Sequence, residues 1–136
     1  MHTEDVTLPR LARALTARLR PAAARTVGEL EITAWDTSGE PVPFAVASGA
    51  AYRPFAVGEA WGRPWGTTWF RIRGRVPEEA RDRRVELVLD LGWRDDQMPG
   101  FQAEALAYRP DGTVIKAIQP RTNWLPVAGG NNKAGD

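Results

Sequence analysis

The chain has 136 residues, a length for one domain, and its 43% apolar and 26% charged composition is that of an ordinary globule. Eighteen basic and seventeen acidic side chains leave a formal charge of +1, without the clustered basic footprint that nucleic acid requires. Cysteine is absent, which removes disulfides, thiolate zinc sites and thiol catalysis together, and no apolar run approaches the ~20 residues of a membrane helix.

Residues 7 to 20 predict the one convincing helix. Leu8, Leu11, Leu15 and Leu19 recur at three- and four-residue steps and share a face. Thr7 can cap the start, Pro9 suits the first turn, and Glu4 and Asp5 precede the positive end of the dipole. Arg18 and Arg20 fall at the negative end, and Pro21 is expected to stop the helix. Arg10, Arg13 and Arg18 make the remaining surface basic. A helix this short is marginal until packed, so its leucine stripe is expected to dock on the rest of the protein or on a second subunit. The sharper alternative is a targeting or membrane-surface helix. The charged N-terminus has no apolar signal-peptide core, which makes a cytoplasmic address the expectation.

From residue 29 the pattern changes to period two. Leu30, Ile32 and Ala34 alternate with Glu29, Glu31 and Thr33, a half-buried strand ending near Asp36, and Thr37-Ser38-Gly39 reads as a turn. Residues 40 to 66, rich in Pro, Gly and Ala, read as a long ordered loop with one or two short strands. Thr68 to Val76 is the clearest strand, with Phe70, Ile72, Gly74 and Val76 on one face and Arg71, Arg73 and Arg75 on the other. Val85 to Leu91 is the next, then Gln102 to Tyr108 and Thr113 to Ile118, the last two joined by the hairpin signal Pro110-Asp111-Gly112. Trp124 and Leu125 can add a short final strand. The expected fold is all-β, an antiparallel β-sandwich of jelly-roll type preceded by one amphipathic helix. The helix occupies residues 1–22, the sandwich 23–127 and a small polar tail 128–136.

The chemical inventory is short. His2 is the only histidine, so no histidine-based triad and no zinc cluster is expected. Asp90, Asp95, Asp96, Glu104 and Asp111 are the available carboxylates. A pair could hydrolyse a glycoside, or Asp95 and Asp96 could help hold calcium; the plainer reading is solvated turn carboxylates. Glu104 stands among Ala103, Ala105 and Leu106, and if it faces inward it needs a partner such as Arg63 or Arg71. Residues 61–70, Trp-Gly-Arg-Pro-Trp-Gly-Thr-Thr-Trp-Phe, put two glycines and a stiffening proline around tryptophans. Exposed, those rings could stack on the apolar face of a sugar; buried, they plug the end of a sandwich.

The same stretch carries a resemblance. Residues 61–76 (WGRPWGTTWFRIRGRV), 85–92 (VELVLDLG) and 100–118 (GFQAEALAYRPDGTVIKAI) resemble the N-terminal domain of bacterial and cytosolic-type α-mannosidases of glycoside hydrolase family 38. The leading helix and Arg121-Thr122-Asn123-Trp124 also fit, so the resemblance spans nearly the whole chain. It implies a zinc-dependent, retaining α-mannosidase as parent, with its nucleophile and metal ligands in a barrel that follows this domain. None of those motifs occurs here, so the chain is expected to be non-catalytic and without a cofactor of its own, the zinc belonging to the catalytic domain. The chain stops about where a linker toward the barrel would begin, which reads as a fragment, a truncated frame or a relic. The implied partners are the barrel, an α-mannoside and a further copy of the chain. By the resemblance Trp61, Trp65 and Glu104 face the barrel or the substrate cleft. The alternative function is a stand-alone carbohydrate-binding module that stacks a sugar on Trp61, Trp65 or Trp93.

Overall fold

The structure, a computed structural model, describes residues 4–94 and 102–127. Its helical start runs from Glu4 to Ala23 in three parts: α1 (Glu4–Ala14), a π-helical turn (Leu15–Leu19) and α2 (Arg20–Ala23). The helix therefore starts earlier than the Thr7 cap predicts and places Pro9 inside α1. Pro21 does not stop it. The widened turn ends at Leu19, and Pro21 enters as an early residue of a new turn, where its missing N–H has no intrahelical role to fill. From the π-helical turn the Thr16 hydroxyl donates back to the Ala12 carbonyl of α1 at 2.9 Å. The leucine stripe does not dock on the described fold: Leu8, Leu11, Leu15 and Leu19 are all exposed.

Three small antiparallel sheets follow. The first has the order β2-β1-β3, with β1 spanning Leu30–Asp36, β2 Arg53–Pro54 and β3 Thr68–Gly74. Alternation predicts β1 and β3 well because both strands have two distinct faces. Their register pairs Ile32 with Ile72 and Ala34 with Phe70 on one face, and Glu31 with Arg73 and Trp35 with Trp69 on the other. The second sheet pairs β4 (Glu86–Val88) with β7 (Trp124–Pro126), and Leu89 N–H to Asn123 and Val127 N–H to Val85 extend that ladder at both ends. The third is the hairpin of β5 (Ala105–Tyr108) and β6 (Val114–Ile118). Its turn is the Pro-Asp-Gly predicted, with Gly112 at φ 88° where an L side chain is strained. A Cβ there would also stand 2.9 Å from the Phe44 ring.

Both faces of the first sheet are covered by aromatic rings near its Asp36/Thr68 end. Phe70 receives Phe55 and Trp61, each edge-on with centroids 5.1 Å away. On the opposite face Trp69 meets Phe44 and Tyr108, which brings the β5–β6 hairpin onto the sheet. Phe44 comes from a helix, α3 (Phe44–Ser48), inside the segment expected to be loop and short strand. Five residues are too few for a 3.6-residue period to show in a sequence. Arg71 stays on that face by lying 4.2 Å over Tyr52 and donating to the Ser48 carbonyl at 3.0 Å. Trp124 of β7 lies under both Lys116 at 4.0 Å and Arg84 at 5.4 Å, which ties β6 and β4 to the last strand. Ile118 is the one large side chain fully buried among the described residues, accompanied by Ala34, Ala47, Ala80 and Leu125.

Candidate functional site at the Asp36–Thr68 end of the first sheet

The loop after Phe55 is held by a carboxylate. Glu59 takes Arg53 Nη1 on Oε1 at 2.6 Å and the Ala56 backbone N–H on Oε2 at 3.2 Å. Those bonds, the Ala56 N–H first and Arg53 second, hold the Glu59 carboxyl below its ordinary range. A folded-state pKa below the unfolded one adds stability above the ordinary glutamate range, and that stability is lost as pH falls through the lowered value. Ala56 amide-proton exchange should therefore lose protection on acidification in step with Glu59 protonation. In Glu59→Gln the acid limb should be absent, as read by NMR hydrogen exchange.

The next segment is a built turn. Gly66 N–H bonds the Arg63 carbonyl at 2.8 Å, with Pro64 and Trp65 at the corner and Trp65 at φ 61°. Proline at the first corner and positive φ at the second define a type II turn, where glycine is the easy residue and tryptophan is not. Gly66 is required by close approach, because a Cβ would come within 2.6 Å of Arg63 Cγ. Arg63 Nη2 donates across to the Ser38 carbonyl at 3.0 Å and so fastens this turn to the one after β1. The strand ends are fastened too. The Thr68 hydroxyl donates to Asp36 Oδ1, and Thr37, which is buried, donates its N–H to the Thr67 carbonyl at 3.0 Å.

Between these ties lies an open cleft of about 360 Å³. Asp36, Arg53, Trp61, Arg63 and Thr68 supply its functional groups. Its size lies at the small end for ligand pockets. Trp61 is half-buried, set nearly perpendicular to the Phe70 ring and lining the cleft. Trp65 is wholly exposed, at 105% of its reference area, on the turn whose two ends, Arg63 and Gly66, line the cleft. The other sequence-derived candidates stand elsewhere. Trp93 is half-buried, its indole N–H donating to the Ala103 carbonyl at 2.6 Å, while Gln102 grips the Arg94 backbone on both sides. Glu104 is exposed and does not face inward, and Arg63 and Arg71 serve the carbonyls of Ser38 and Ser48.

Asp90 and Asp111 are turn carboxylates, Asp90 accepting from Gly92 N–H and Asp111 from Thr113 N–H. That Thr113 bond holds Asp111 below its ordinary range. Asp95 and Asp96 lie outside the described residues. Asp36 and Arg53 are the cleft groups that sequence reasoning missed. Asp36 looks like an ordinary strand end, and only the β1–β3 register sets it against Thr68.

A family model described as the α-mannosidase jelly-roll domain matches residues 26–134. The chain belongs to that family. The jelly-roll match covers every strand of the three sheets and leaves the leading helix outside it. No curated protein matches the chain. The expected architecture, an antiparallel β-sandwich of jelly-roll type behind an N-terminal helix, is the one found. Among the described residues of the jelly-roll domain, no three His, Asp or Glu side chains gather where they could hold a metal ion. Among the described residues no helix is long and apolar enough to cross a membrane.

Proposed function

We propose that this chain is the non-catalytic N-terminal domain of a zinc-dependent, retaining α-mannosidase of glycoside hydrolase family 38, a cytoplasmic enzyme acting on α-mannosides. Its work is to pack against the catalytic barrel, which carries the zinc and the nucleophile. The family match over residues 26–134 is the observation that carries this reading. The shallow core agrees with it. Leu30, Val88, Leu106 and Val114, on strands of all three sheets, remain between 47% and 64% exposed, and exposed apolar surface on several strands is what a large neighbour covers.

An antibody raised against the domain tests the reading on protein drawn from the cells that make it. The captured material should hydrolyse a chromogenic α-mannoside, lose that activity to a chelator and regain it with zinc. Captured protein that holds this domain but neither barrel nor α-mannosidase activity would overturn the proposal.

A further inference from the structure

The turn that flanks the cleft between β1, β2 and the Trp61–Gly66 segment carries a residue that packing does not account for. A turn that only connected Trp61 to β3 would take glycine at its second corner, yet residue 65 is tryptophan at φ 61° with its whole side chain in water. Strain held at an exposed aromatic residue points toward function, because neither packing nor backbone preference maintains it. The charged groups that line the cleft are fixed: Arg63 by Ser38, Arg53 by Glu59 and Asp36 by Thr68.

Their chemistry selects a neutral polyol over an ion. Glu59 pairs with Arg53, and Asp36 and Arg63 carry one charge of each sign, so the named charges in and beside the cleft sum to zero and leave no surplus to attract an anion. It still offers both hydrogen-bonding senses. A carboxylate has about four lone-pair positions, of which Thr68 takes one on Asp36, and a guanidinium has five N–H donors, of which only some are committed. A pyranose presents hydroxyls that donate and accept around its rim and an apolar C–H face, the combination that a carboxylate, guanidinium groups and an indole ring satisfy together.

We propose that this cleft is a pyranoside-binding subsite, with Asp36 and Arg53 taking sugar hydroxyls and Trp65 stacking on the sugar at the mouth. The ligand class is an α-mannoside, a choice that rests on the family reading; the cleft and its groups do not depend on packing against a barrel.

The test titrates the full chain with methyl α-D-mannopyranoside and follows tryptophan emission. Saturable binding in the millimolar range is expected. Trp65→Ala should weaken it at least about tenfold, a loss of one aromatic contact, with an unchanged circular dichroism spectrum because Trp65 supports nothing else. Trp65→Gly should lose binding equally while its unfolding midpoint stays level or rises, since glycine relieves the positive φ. That pairing of lost binding with undiminished stability separates a ligand contact from a structural one. Absence of saturable binding by the natively folded chain, or binding that survives both substitutions, overturns the proposal. The same comparison by affinity electrophoresis in mannan, made on the domain within its parent enzyme, reads the cleft however the isolated chain behaves. Neither result touches the antibody-capture test, so the subsite can fail while the mannosidase reading stands.

Discussion

Phe70→Ala should cost the domain about 3 kcal/mol in urea unfolding, the low end for deleting a packed phenylalanine because this ring is only half-buried. Its loss leaves Phe55 and Trp61 without the ring that both touch edge-on. Each such aromatic pair is worth about 1 kcal/mol beyond the area it buries. The damage should not stay local. Trp61 forms one wall of the cleft, so its freed indole should become more solvated, and the tryptophan emission of the folded variant should move to longer wavelength. Phe70→Leu, which keeps much of the volume, should recover more than half of the stability. A variant as stable as the parent would mean that the loop aromatics do not pack on β3.

Ile118→Ala should cost about 3–4 kcal/mol, since the side chain is wholly buried and its site in β6 cannot collapse without moving the β5–β6 hairpin. For a domain of ordinary marginal stability that is a large share of the total. The effect is magnified by how few large residues share the work. The other buried apolar residues among those described are three alanines and Leu125, so little else can fill the space. Ile118→Val, which removes one methylene, should cost about 1 kcal/mol. Chemical denaturation of the two variants at equal slope measures both values.

Much of this fold is legible in the sequence because its strands have unlike faces. β1, β3 and the β5–β6 hairpin declare themselves through alternation and through Asp111-Gly112, which terminates two strands and supplies the one residue suited to φ 88°. The helix is legible in its leucine spacing, but not in its end. Pro21 does not stop it because, after the π-helical turn at Leu15–Leu19, it falls in the first turn of α2, where its missing N–H is not needed. Sequence alternation also says nothing about partners: β4 pairs with β7 rather than with its nearest neighbour in the chain.

The site divides in the same way. Trp65 is singled out by composition and by the Pro-Trp-Gly turn, and the structure places it in full solvent. Trp61 and Trp93 come from the same reasoning but are half-buried, since ring size alone cannot tell a ring packed on Phe70 from a ring held out to a ligand. Asp36 and Arg53 were illegible because what makes them neighbours is strand register. Thr33 and Ala34 align with Pro54 and Arg53, and Asp36 with Thr68, across separations no local pattern encodes.

The pairing of β4 with β7 bears on how the chain is made. During synthesis β4 emerges well before the strand that will satisfy its backbone, so Glu86 to Leu89 spends that interval with its ladder unformed, the kind of edge that pairs with another chain. Arg83 and Arg84 stand just before it and Glu86 within it, with Arg84 and Glu86 joined at 2.6 Å once folded. Before folding, those charges act as gatekeepers, and in the finished domain Arg84 comes to rest over Trp124 of the strand β4 was waiting for.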